Sequence, residues 1–319
     1  MTLGRDILYL SDHDIRATGL SLTAVEAAVE AVFAAKAAGR TVMKPKLSLR
    51  TAGGTCFLAS AGVLDTPAYG GVKWVGVADA AASGLPHIAG TMLLNDTATG
   101  MPVAILDARW ITEVRTAAIT VIAARHLARR ESTRIGFVAC GLQARAHLAA
   151  LRLHFPLATL RAYSRRLSTA KAFVEEACAQ GLEAVAVADP RAAVAGMDIV
   201  ITSTPLVPHT DPFLDAAWLE AGSFASMVDL GRSWISESLP ALDRVVTDDI
   251  DQAGTEKLAY PKPYDGEIAS LADGSLAGRE SPQERTALVF AGLGLADVAV
   301  AAALYERARE TGVGRELPT

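Results

Sequence analysis

The sequence predicts an α/β protein in which a doubly wound parallel-sheet domain is joined to a mostly antiparallel α+β domain. Three observations predict it. The 319 residues are 51% hydrophobic but only 6% aromatic, the Ala/Val/Leu-rich composition of helices packed on sheets. Short apolar segments between Gly, Pro and Asp turns fill 46–106, and beyond Ser132 strand-like runs alternate with helical ones. A chain of this length exceeds one average core, so one large or two medium domains are expected.

A first helix is predicted over 12–39, where Leu20, Val25, Ala28, Val29, Val32 and Phe33 recur at helical spacing and Gly39 supplies a stop. The segments 56–59, 71–77 and 91–94 read as strands of an antiparallel sheet. An alanine-rich helix over 114–130 leads out of it. Strands then follow at 135–139, 160–163, 184–188, 199–203, 224–228 and 245–247, with a helix over 168–180 capped by Ser168. Strands alternating with helices at this spacing need crossover connections, hence a parallel sheet covered on both faces. One more helix is predicted over 286–312, and no repeat of solenoid period interrupts the pattern.

A net charge of −5 offers no broad positive field for phosphate backbones, so nucleic acid is excluded as a partner and a small ligand is expected. Cys56, Cys140 and Cys178 are too few and too irregularly spaced for a disulfide framework or a zinc site; buried reduced thiols in a reducing compartment are expected. The N-terminal residues lack an apolar leader core and no run of about 18 apolar residues occurs, which predicts a soluble cytoplasmic chain without membrane partners. No His, Asp or Glu spacing resembles a metal site. His126 and His147 fall on predicted helices as packing or surface residues, and His87 is retained as an outlying site candidate.

The chemistry concentrates at the first strand-to-helix turn of the parallel region, Val138-Ala139-Cys140-Gly141-Leu142-Gln143-Ala144. A dinucleotide needs small residues there, because its pyrophosphate approaches the backbone and rests on free N–H groups at the helix N-terminus. Gly141 and Ala144 fit the second and third small positions of the fingerprint, while Ala139 replaces its first glycine. About twenty residues on, Tyr163-Ser164-Arg165-Arg166 carries no acid for a ribose hydroxyl; Ser164 and Arg165 suit a 2′-phosphate, leaning towards NADP, or open a solvated helix. Ser203 and Thr204 end the fourth strand, lining a nicotinamide or satisfying a turn.

Gly141-x-Gln143-Ala144, preceded by Thr112-x-x-Arg115-Thr116-Ala117-Ala118, Gly71-Val72-Lys73, Gly84-Leu85-Pro86 and Thr99-Gly100-x-Pro102 and followed by Gly292-Leu293-Gly294-Leu295-Ala296-Asp297-Val298, resembles the ornithine cyclodeaminase/mu-crystallin family over nearly the whole chain. The resemblance implies a two-domain homodimer that uses NAD(P). Residues 1–117 with 298–319 would form the substrate-binding and dimerisation domain, and 118–297 the dinucleotide-binding Rossmann domain. It implies that Lys73 meets the substrate carboxylate or imine and that Arg115 clamps the carboxylate, with Thr116, Gly141, Leu142, Gln143, Ala144, Ser164, Arg165, Ser203, Thr204 and Asp229 towards the cofactor. Elementary chemistry agrees: a guanidinium presents a bidentate fork to a carboxylate, and a lysine in a closed site exchanges protons. Strand alternation leaves open whether Lys73 faces the core or solvent.

The departures matter too. Cys56 stands where members that cyclise ornithine carry a Glu for the distal amine, and Gly231 stands where they carry an Asp, with Asp229 two residues before it. A buried amine without a carboxylate is costly, which disfavours a diamino acid. In Lys44-Pro45-Lys46, Lys46 supplies the charge of the usual Arg without its fork, and Lys44, Arg50 and Arg232 add positive charge or decorate a solvated strand edge. The expected activity is NAD(P)H-dependent reduction of a small imino or 2-oxo acid to an L-amino acid, by an imine reductase or amino-acid dehydrogenase, with iminosuccinate to aspartate as a refinement. The alternatives are an ornithine-type cyclodeaminase, a lyase, and a mu-crystallin-like binding protein without catalysis.

Overall fold

The computed structural model describes residues 6–78, 84–205, 211–255, 260 and 263–318; residues 1–5, part of the N-terminal stretch read above as lacking a leader, lie outside them. The chain divides into two units, Met1–Arg115 with Leu293–Thr319 and Thr116–Gly292.

The first unit opens with β1 (Asp6–Leu10), α1 (Asp12–Ala17) and α2 (Leu22–Ala37). The single helix expected over 12–39 is therefore two. Gly19 turns left-handed at φ +64° and the Ser21 hydroxyl accepts from Ala24 N to start α2, so local capping chemistry overrides a periodicity that runs through the break. There follow β2 (Thr41–Met43), β3 (Leu47–Arg50), β4 (Cys56–Leu64), β5 (Tyr69–Val77), β6 (Ile88–Asp96) and β7 (Pro102–Asp107). Neighbours among β3 to β7 pair antiparallel, as expected from their turn-punctuated sequence.

The next helix, α3 (Arg109–Leu127), begins five residues before its expected start, because the Asp107 carboxylate accepts from Arg109 N at 2.8 Å. Arg115 consequently lies in its second turn, not at its mouth.

The second unit contains β8 (Arg134–Val138), α4 (Leu142–Leu151), β9 (Thr159–Tyr163), α5 (Leu167–Ala179), β10 (Glu183–Val187), α6 (Pro190–Val194), β11 (Ile199–Thr202), β12 (Phe224–Met227), β13 (Arg244–Thr247), α7 (Ile250–Thr255), β14 (Gly266–Glu267), α8 (Ile268–Ala272) and β15 (Thr286–Val289). The strands form one parallel sheet of order β10-β9-β8-β11-β12-β15-β13-β14, the doubly wound arrangement. All six expected strands are in it. The cap of α5 is Arg166 in an extended conformation, not Ser168, which lies inside the first turn. A core around the fully buried Trp234, with Leu214, Met227 and Val289, packs against this sheet.

The chain then re-enters the first unit as α9 (Gly294–Thr311) and β16 (Arg315–Pro318). The tail helix expected over 286–312 is thus a strand followed by a helix. The four residues of β15 pair with β12 on one side and β13 on the other, and such a short apolar run carries no period that separates it from a helix start. In the first sheet the order is β16-β1-β7-β6-β5-β4-β2, with β3 also on β4; β1 runs parallel to β7 and antiparallel to β16. The helices α2 and α9 cover its inner face.

Candidate active site

In β5 the two-residue period puts Lys73 and Val75 on the inner face and Trp74 on the outer one, where it stacks on Phe57 with ring centroids 5.5 Å apart. Lys73 therefore faces the core, at 4% exposure. Its direct cross-strand neighbours are Ser60 on β4 and Met92 on β6. Lys73 Nζ donates to Asp297 Oδ1 at 2.8 Å and to Thr112 Oγ1 at 3.3 Å.

Asp297 reaches Lys73 because α9 lies close on β4. A Cβ on Gly62 would stand 2.8 Å from Leu295 Cδ2 and 3.3 Å from the α9 backbone, so glycine is required for this approach. Asp297 is 1% exposed in a helix whose other buried residues are Gly, Ala, Val, Leu and Tyr305, an environment that demands a partner for its charge. It has two. Arg115 Nε also lies 3.0 Å from Asp297 Oδ1, an ion pair in which the N–H does not point along the contact. Arg115 Nη1 is buried and without a hydrogen-bond partner among the described residues.

Burial pulls the Lys73 ammonium down to a pKa of about 8; Asp297 opposes that shift, while the charges of Arg115 and Lys46 add to it. Lys46 precedes β3, whose Arg50 and Ser48 stand opposite Cys56 and Leu58, so this stretch borders the same inner face. Cys56 is buried opposite Val77, four strand positions from Lys73, with Ser48 Oγ 3.4 Å from its sulfur.

In the second unit, the expected cofactor residues other than Thr116 lie at the carboxyl ends of β9, β8, β11 and β12. Ala139 follows β8 in a left-handed conformation, φ +72°, which explains why a glycine usually occupies that place. Its N–H donates to Tyr163 O at 2.8 Å, and Ser203 N donates to Val138 O at 3.0 Å, tying the three strand ends together. Gly141 is the N-cap of α4, no side chain caps that terminus, and a Cβ placed on Gly141 meets nothing within 4 Å. Arg145 braces the turn from behind, donating to Cys140 O at 2.8 Å and to the Glu176 carboxylate. Leu142 is exposed, Ala144 is fully buried, Ser164 is half-buried just past β9 and Arg165 is exposed beside it.

Asp229 is 2% exposed and its carboxylate accepts from the hydroxyls of Thr202, Thr204 and Ser233, at 2.9, 2.7 and 2.7 Å. That arrangement fixes the turns after β11 and β12. Thr116, next to Arg115 in α3, is buried. His147 of α4 is buried as well: Nδ1–H donates to Gln143 O at 2.7 Å, so Nε2 accepts from Thr120 Oγ1, which in turn accepts from Ser226 Oγ. His87 is half-buried beside β6. Cys178 is exposed, contrary to the expectation of a buried thiol, because its place on α5 follows Ala177 off the core face.

Among the described residues no group of three or more His, Cys, Asp or Glu could hold a metal ion, and no helix is long and apolar enough to cross a membrane. Sequence reasoning found Lys73 and Arg115 but passed over Asp297. Its signal was present: one acid inside the apolar run 293–304.

A doubly wound parallel sheet with an uncapped, open first βα turn, together with a separate unit built on a mostly antiparallel sheet, defines a Rossmann-type two-unit α/β protein. The chain belongs to the ornithine cyclodeaminase/mu-crystallin family, whose model matches residues 8–312. It is 32% identical to an alanine dehydrogenase of Archaeoglobus fulgidus, with 98% of each chain covered. An archaeal alanine dehydrogenase dimer with bound NAD superposes with a TM-score of 0.87 at 30% identity, covering 98% of this chain and 99% of that one. The Thermococcus litoralis Δ1-pyrroline-2-carboxylate reductase, solved with NADH and L-proline, gives 0.88 at 27% identity over 97% and 99%.

Proposed function

We propose that this chain is a nicotinamide-dependent oxidoreductase of CH–NH2 or C=N groups that reduces a small 2-imino acid, or the imine that a 2-oxo acid forms with ammonia on loss of water, to the L-amino acid. The class is that of its relatives, which are named as dehydrogenases and reductases of amino acids and cyclic imino acids. One observation carries the substrate assignment: a buried guanidinium edge, Arg115 Nη1, has no protein acceptor among the described residues, beside a buried lysine. A buried donor of this kind is costly unless a ligand anion satisfies it, and a carboxylate is the natural match.

In this reading Arg115 orients the substrate through its carboxylate. Lys73, an ammonium at neutral pH, gives a proton to the imine nitrogen as the adjacent carbon is reduced. Lys46 and Arg50 border the same face and favour a second carboxylate, an imino dicarboxylate such as iminosuccinate, over a distal amine; Cys56 in place of an acid points the same way.

The open N-terminus at Gly141 fits a dinucleotide pyrophosphate, since a Cβ there would occupy free space that the phosphate needs. The second unit would hold the cofactor on Gly141, Leu142, Gln143 and Ala144, with Thr116, Ser203, Thr204 and Asp229 as its further cofactor-side residues. The nicotinamide supplies or takes up the hydride. Ser164 and Arg165 suit a 2′-phosphate, which favours NADPH.

The first unit would hold substrate and pair with a second copy. Leu47, Ala59 and Trp74 lie in one outward row of its sheet, flanked by Leu49 and Phe57, and Leu47, Leu49 and Trp74 are exposed, an apolar patch suited to burial.

A spectrophotometric panel tests this: pyruvate and oxaloacetate with ammonium, and Δ1-pyrroline-2-carboxylate, each with NADH and NADPH. Cofactor oxidation with an imino acid is expected, faster with NADPH. Ammonia release from ornithine without net cofactor turnover would replace this reading by the lyase, and binding without any turnover by a mu-crystallin-like role.

A further inference from the structure

We infer that Asp297 is a positioning residue of this reaction: it holds Lys73 Nζ in place and in its ammonium form, leaving Arg115 to the substrate carboxylate. The inference rests on the reading above. A purely structural buried ion pair would be neutral, one acid with one base. Here a single carboxylate oxygen receives both Lys73 Nζ at 2.8 Å and Arg115 Nε at 3.0 Å, so the buried cluster keeps one positive charge in excess. That excess emerges at Arg115 Nη1, which has no hydrogen-bond partner among the described residues. The cluster is thus completed by one incoming anion.

The groups around Lys73 leave its protonation to Asp297. From α3 come Arg115 and the neutral Thr112 hydroxyl; from the segment before β3 comes Lys46; Ser60 and Met92 on the flanking strands carry no charge. Every other charge named acts against an ammonium, as does burial, and among these groups Asp297 is the one charge that supports it, helped by the neutral Thr112 hydroxyl. With the carboxylate gone, Lys73 would shed its proton at lower pH, while the cluster keeps its one positive charge on an Arg115 without its carboxylate partner and would hold a substrate carboxylate no less firmly.

The test compares wild type, Asp297→Asn, Asp297→Glu and Lys73→Met with Δ1-pyrroline-2-carboxylate and with pyruvate plus ammonium. A second readout, independent of turnover, is acylation of Lys73 by acetic anhydride across pH, followed by peptide mass spectrometry. In Asp297→Asn the Lys73 midpoint and the alkaline limb of kcat/KM should both move about 1 to 3 pH units lower. Its kcat at neutral pH should fall about twofold to a hundredfold, in step with the size of that shift and without a rise in KM, a split that general damage to the fold would not produce. An unmoved midpoint in folded Asp297→Asn, alongside an inactive Lys73→Met, overturns the inference and leaves the function standing. A fully active Lys73→Met overturns the inference and the proton-donor role of Lys73, whereas the absence of turnover of either substrate by the wild type overturns the function itself. Should Asp297→Asn not fold, Asp297→Glu decides: kcat should drop with the midpoint held, and wild-type values of both would show that the carboxylate position is immaterial.

Discussion

Lys73 Nζ and Asp297 Oδ1 meet at 2.8 Å inside the first unit, although 224 positions separate the two residues in the chain. Burial of Lys73, which this contact only partly offsets, should make stability and the proposed turnover respond to pH in opposite directions. Folded Lys73 titrates near pH 8, below the ordinary lysine value of 10.5, so between these two points the unfolded chain binds more protons than the folded one. Stability should therefore rise with pH across that window, by at most about 3 kcal/mol, while turnover falls as the ammonium is lost. Denaturant unfolding of wild type and Lys73→Met at both ends of the window isolates the first effect, and the kcat profile reads the second.

Gly141→Val separates folding from cofactor binding. The residue has an extended backbone and open space beyond its Cβ position, so stability should change by less than about 0.5 kcal/mol. The added side chain occupies the volume assigned to the pyrophosphate, and NADH affinity, followed by fluorescence titration, should drop at least about tenfold.

Ala139→Gly should stabilise the protein. A left-handed backbone costs an L-residue roughly 1–2 kcal/mol, partly offset by the greater chain entropy of glycine, for a net gain of about 1 kcal/mol in urea unfolding.

His147 gives the second unit an acid limit. Burial depresses its pKa to about 4 against the carbonyl of Gln143, which pulls the other way. As pH falls from the ordinary histidine value near 6.5 to 4, the unfolded state takes up the proton first, and up to about 3 kcal/mol of stability should be lost. His147→Gln should flatten that part of the curve, as measured by thermal melts of both proteins at pH values within the window.

Local patterns carried much of this reading. The alternation after Ser132 located all six expected strands, and the small residues at 139–144 located the open turn, because two-residue and helical periods and βα turns are properties of short segments. Where a segment had two local solutions, its neighbours chose. Gly19 and Ser21 broke a helix whose periodicity continued on both sides. Residues 286–289 became a central strand only because β12 and β13 flank them.

By itself, then, the sequence determined the two kinds of sheet, the glycine-bearing turn and the presence of an inward-capable lysine and arginine, all of which depend on spacing along the chain. Only the tertiary structure decided that Lys73 faces inward, that Asp297 is its counter-ion and that Arg115 Nη1 is buried without a hydrogen-bond partner among the described residues. Burial and pairing of charge are set by which distant residues share a low-dielectric interior, and no local period encodes that.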